Sequence, residues 1–93
     1  MDPTLDPELE VAADEELALA TALHWRDLVT LIPWGDSYDG FGPSGGPVTF
    51  ERSYLWSGEP GGDILCEVVA YRGPSRYDRG ARRSSLIPRP YVI

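Results

Sequence analysis

Ninety-three residues suffice for one domain and are too few for two independent cores. With 42% hydrophobic and 11% aromatic residues, the chain can bury a core without a metal or disulfide staple, and its single Cys66 cannot form an internal disulfide. The net charge of −7, from 15 acidic and 8 basic side chains, opposes long-range attraction of a polyanion. The longest apolar run falls far short of the ~20 residues that cross a bilayer.

The opening Met1-Asp2-Pro3-Thr4-Leu5-Asp6-Pro7 is acidic where a secretory signal is basic, and no long apolar stretch follows it. Together with the lone thiol, this gives the expectation of a soluble, cytoplasmic protein. The charges are segregated along the chain. Asp2, Asp6, Glu8, Glu10, Asp14, Glu15, Glu16 and Asp27 stand against Arg26 alone in the first 27 residues. From Arg72 onward the sign inverts, with Arg72, Arg76, Arg79, Arg82, Arg83 and Arg89 against Asp78. Every basic residue is Arg.

The first element is a helix. Asp6 suits the N-cap and Pro7 the first helical position, which needs no N–H. Glu8 and Glu10 sit where the helix dipole favours negative charge. Leu9, Ala12, Ala13, Leu19, Ala20 and Leu23 recur at helical spacing, which predicts one apolar face and an end near His24 or Trp25. A later start at Asp14 is the alternative. Leu28-Val29-Thr30-Leu31-Ile32 is β-branched, stops at Pro33 and reads as a strand, with a continuing helix as the alternative. Gly35 to Pro47 holds five glycines and two prolines and reads as loop.

Val48 to Trp56 is the clearest strand. Val48, Phe50, Tyr54 and Trp56 point one way, and Thr49, Glu51 and Ser53 the other. A Gly/Pro turn leads to Ile64–Tyr71, apolar apart from Glu67 and therefore central in the sheet. These two strands are expected to form an antiparallel hairpin. Beyond Gly73-Pro74 the Arg-rich segment reads as irregular, with room for a short edge strand. The predicted fold is α+β: one domain over residues 1–93, an N-terminal helix packed on a three- to four-stranded, mainly antiparallel sheet, with residues 1–5 and 74–93 less regular.

Gly35-Asp36-Ser37 resembles the nucleophile block of the SGNH (GDSL-type) hydrolases, over about a dozen residues including the following Tyr38-Asp39-Gly40-Phe41-Gly42. The resemblance implies a Ser37 nucleophile and a His base placed downstream with an Asp. His24, the only histidine, lies upstream, and the family's later blocks and its length are missing. We read the tripeptide as a turn. Asp36 and Asp39, or Glu59 and Asp63, lack the alternating ligand order of a calcium loop, and one Cys with one His cannot close a zinc site. No metal, cofactor or catalytic set is therefore expected. His24 reads as structural and Cys66 as a small buried hydrophobe.

What remains is binding. The expected function is a non-enzymatic protein-binding module, whether adaptor, assembly component or small acidic inhibitor. The expected partner surface is Asp6, Glu8, Glu10, Glu15 and Glu16 with Trp34, Tyr38 and Phe41, and Trp34 is the aromatic expected to stand exposed. Arg76, Arg79, Arg82 and Arg83 offer a second surface, either for head-to-tail self-association or, as the rival reading, for nucleic acid. A further alternative is phosphate mimicry by the acidic helix. A simpler fate for the arginines is pairing with the chain's own acidic helix.

Overall fold

The computed structural model describes residues 7–72 and 80–90. In chain order these form α1 (Pro7–Thr21), α2 (Trp25–Leu28), β1 (Trp34–Phe41), β2 (Pro47–Trp56), β3 (Ile64–Tyr71) and β4 (Ala81–Ile87). The strands make one antiparallel sheet in the order β1-β2-β3-β4, and α1 lies on one face, chiefly over β3 and β4. This is the α+β arrangement expected from the residue pattern.

Alternation builds the two faces. Cross-strand partners project to the same side of a sheet. Val48, Phe50, Arg52, Tyr54 and Trp56 therefore share the inner face with Ile64, Cys66, Val68 and Ala70, and with Ala81, Arg83, Ser85 and Ile87 of β4. Ile64, Cys66, Val68 and Ala70 are wholly buried. The helix brings Leu9, Ala12, Ala13 and Ala20 onto them. Small side chains let the helix backbone approach closely, and the Tyr54 hydroxyl donates to the Ala20 carbonyl at 2.9 Å in the buried layer. At the same end of the strands Trp25 lies against Trp56, with ring centroids 6.3 Å apart, and its indole N–H donates to the Gly62 carbonyl.

Three segments differ from the expectations. Residues 28–32 are not a strand: α2 ends at Leu28 and a turn follows, held by Val29 N–H on the Trp25 carbonyl and Leu31 N–H on the Leu28 carbonyl. Burial of Leu28 overrides the β-propensity of its neighbours, while Leu31 is left exposed. The segment read as loop from Gly35 instead carries β1 as far as Phe41. An edge strand with exposed faces tolerates Gly and Asp, and Gly40 has a packing reason, because a Cβ there would lie 2.9 Å from the Phe50 ring. Within this segment the left-handed backbone falls in the turn after Phe41, at Gly45 with φ 87°. Finally, β4 is a full seven-residue strand where a mostly irregular tail was expected.

The helix differs in detail. It ends at Thr21, whose hydroxyl donates to the Leu17 carbonyl, and His24 in extended backbone caps α2. Leu19 and Leu23 were expected in the apolar face but stand exposed: Leu19 lies to the side of the buried stripe of Leu9, Ala12, Ala13, Glu16 and Ala20, and Leu23 lies beyond the helix end at Thr21. Asp6, the expected N-cap, and the Tyr91-Val92-Ile93 end lie outside the described residues.

Tyr54→Phe removes the donor to Ala20 and leaves a buried carbonyl without a partner. The expected loss is about 1–2 kcal/mol of unfolding free energy, read from urea denaturation with the slope unchanged.

Candidate functional site

The carboxylates of α1 meet arginines delivered by the sheet. Glu16 pairs with Arg52 of β2, their side chains 11% and 19% exposed. Burial opposes the Arg52 charge, but the Glu16 hydrogen bond and the field of Tyr54 and Glu16 outweigh it and raise its pKa above the ordinary guanidinium value. Glu8 accepts the Ser44 backbone N–H at 2.7 Å, the Ser44 hydroxyl, and Arg72 Nη2 at 2.8 Å. The Ser44 hydroxyl most strongly, then its N–H and Arg72, pull the Glu8 pKa down to about 2. Arg83 Nε donates to Asp14 at 2.7 Å, and its Nη2 lies 3.9 Å from Glu10.

Of the expected acidic surface, Glu8, Glu10 and Glu16 thus face the protein's own arginines, while Glu15 stays exposed. Of the expected basic surface, Arg83 turns to the helix and Arg82 is exposed. Arg76 and Arg79 lie outside the described residues. The aromatics separate likewise. Trp34 is half-buried against the core, because register sets it opposite Tyr54 with centroids 5.7 Å apart. Tyr38 stacks on Phe50, and Phe41 is 75% exposed at the end of the strand.

The residues of the hydrolase-like tripeptide occupy β1. Ser37 lines a shallow hollow with Glu51, Glu67 and Arg82, whereas His24 lines another with Trp25, Ile87 and Pro88, and the two hollows share no residue. Asp39 accepts from the Thr49 hydroxyl, and Asp63 from the Arg89 N–H. Among the described residues no three His, Cys, Asp or Glu side chains gather as a metal site. Cys66 is wholly buried, and that burial pushes its thiol pKa up, which disfavours the reactive thiolate.

The surface that residue-by-residue reading missed is the outer face of the sheet, opposite α1. Register places Leu55, Leu65 and Leu86 in one row across β2, β3 and β4. The next row is Gly35, Ser53, Glu67 and Ser84, followed by Ser37, Glu51, Val69 and Arg82. Leu55 and Leu86 are 40% and 53% exposed, and no described helix or strand covers the row. The signal was present in the strand phase. Leu55 continues the polar series Thr49, Glu51, Ser53, and Leu65 faces away from Ile64.

Both edges of this sheet carry a cap. In an antiparallel ladder, residues of non-hydrogen-bonded pairs turn their N–H and C=O away from the partner strand. The Gly42 N–H to Gly46 carbonyl bond at 2.8 Å closes the β1–β2 turn, and counting in twos from it puts Ser37 among the outward residues. The Asp36 carboxylate accepts that Ser37 N–H at 2.8 Å. The same alternation, carried through β2 and β3, turns the Arg82 carbonyl outward on β4, where the Arg83 guanidinium donates to it at 3.0 Å. Each edge thus has one backbone group occupied by a neighbouring side chain, and both edge strands carry charged side chains, a known defence against edge-to-edge pairing.

No protein-family model, curated protein or solved structure shows significant similarity to the chain.

Two expectations follow from the ion pairs and the caps. The Glu8 pKa is depressed in the fold, so its stabilising contribution is complete above about 4.5 and disappears as pH falls through about 2. Urea midpoints of the parent and of Glu8→Gln should therefore differ at pH 6 and converge toward pH 2; a difference constant with pH would contradict the assignment. Asp36→Ala should release an edge donor and produce higher-order species in light scattering. Asp36→Asn, which keeps an acceptor oxygen, should behave like the parent.

Proposed function

We propose that this chain is a non-enzymatic protein-binding module that works by contact through the outer face of its sheet. The observation that carries the reading is the in-register row Leu55–Leu65–Leu86, with Leu55 and Leu86 exposed on either side of a half-buried Leu65, beside Glu67 and Arg82 on the face opposite the helix. Apolar side chains scattered over a surface need no explanation, whereas a contiguous row rimmed by charge is the usual composition of a contact patch. Support also comes from what the other surfaces already do. Glu8, Glu10, Asp14 and Glu16 face arginines of the same chain, which weakens phosphate mimicry by the helix. Arg52, Arg72 and Arg83 are the matching cations, which leaves fewer guanidinium groups for a nucleic acid. An adaptor or an assembly component is the class of role that suits such a patch.

The test is site-specific photo-cross-linking in the native host, with the reactive side chain placed at Leu86 and, as control, at Ala18 on the exposed side of α1. A discrete protein adduct from position 86, absent from position 18 and abolished by Leu55→Asp, is the expected outcome. No adduct, or equal adducts from both positions, overturns the reading.

A further inference from the structure

We infer that the hollow between α2 and the chain that follows β4 binds a small organic monoanion, an apolar body carrying one carboxylate. The hollow measures ≈ 480 Å³ and is lined by Leu23, His24, Trp25, Arg26, Ile87 and two prolines. That volume falls in the range of small-ligand sites. It shares no residue with the leucine row of the outer face, so this function is additional to contact through that face.

Both walls are fixed before a ligand arrives. On one side the wholly buried Leu28 anchors α2. There the Trp25 ring is held by its N–H on the Gly62 carbonyl at 2.9 Å and by Trp56. On the other side the Arg89 N–H donates to the Asp63 carboxylate at 2.9 Å, between Pro88 and Pro90, whose rings fix φ. The nearly buried Ile87 and Leu23, 43% exposed beyond the end of α1, complete the apolar lining. A site that is already ordered spares the ligand that cost.

The donor inventory selects the chemistry of the guest. The prolines have no N–H, and the one side-chain donor of Trp25 is spent on Gly62. These walls offer hydrocarbon contact, and a peptide would leave its own N–H groups and carbonyls short of partners there. Polar capacity is confined to His24 and Arg26. Both are exposed, and neither side chain has an ion pair or hydrogen-bond partner among the described residues. No described carboxylate lines the hollow, although the chain carries 15 acidic side chains. The local field therefore favours an anion, and the guanidinium fork matches a carboxylate. The net charge of −7 repels a dianion, such as a phosphate monoester, more strongly than a monoanion.

The experiment is a chemical-shift titration of the isotope-labelled full chain with octanoate and with phenylacetate, to about 20 mM at constant ionic strength. Octylammonium, with the same hydrocarbon and the opposite charge, is the control. We expect saturable binding of the acids with Kd about 1 mM or tighter, and shifts at Leu23, the Trp25 indole N–H, Arg26 and Ile87. Arg26→Gln and, separately, Leu23→Gln should each weaken octanoate about fivefold or more, with circular dichroism unchanged. Octylammonium should fail to saturate. No saturation by either acid overturns the proposal, as does octylammonium binding as tightly as octanoate, which would mean adsorption on hydrocarbon alone. Unchanged affinity in a folded Arg26→Gln variant, or shifts centred on Leu55 and Leu65, would also sink it.

Discussion

The seating of α1 on the sheet rests on carboxylate–guanidinium contacts at three separated points. Glu8 reaches the β1–β2 turn and Arg72, Glu16 meets Arg52 on β2, and Asp14 meets Arg83 on β4. The apolar part of the contact is thin, since Ala12, Ala13 and Ala20 carry little hydrocarbon, and of the helix's large apolar side chains Leu9 is buried and Leu17 only partly so. Each missing methylene forgoes about 0.8 kcal/mol of burial. A smooth alanine stripe also slides easily, so position along the sheet has to be set by polar groups of fixed reach. Exposed pairs such as Arg83–Asp14 contribute little to stability. The Arg52–Glu16 pair differs, because removing one member would strand the other's charge in a largely dry layer.

This arrangement explains the charge pattern of the chain. Acids at one end and arginines at the other look like two surfaces awaiting partners. Folding lays the acidic helix across β3 and β4 and turns the segregation into a set of short-range neutralisations. The face opposite the helix takes no part in these helix–sheet ion pairs, and a row of leucines runs across three of its strands beside Glu67 and Arg82.

The legible and illegible parts divide along a physical line. β2 and β3 were readable because alternating side chains meet water on one side and core on the other, so their period reports the sheet directly. β1 was not, since an edge strand with solvent on both sides needs no apolar period, and its glycines answer to Phe50 and the turn. Residues 28–32 were misread because local propensity cannot know that Leu28 is claimed by the core. Leu19 was misplaced because the buried stripe centres on Glu16 and its ion pair, and Leu23 because the helix ends at Thr21, before it. The acidic residues were found, but which of them face inward depends on arginines 36 to 69 positions away. The leucine row is likewise a property of register, and single-strand reading sees only isolated hydrophobic residues.

The side-chain stoppers on the outermost strands bear on how large any assembly of this protein can grow. Growth by adding strands has no natural end, because every new rim resembles the last, and the product is a fibre. Contact through a broad surface uses that surface up, so it stops at a fixed stoichiometry. By occupying a backbone group on each rim with Asp36 and Arg83 and lining both rims with charge, the fold favours finite complexes over filaments.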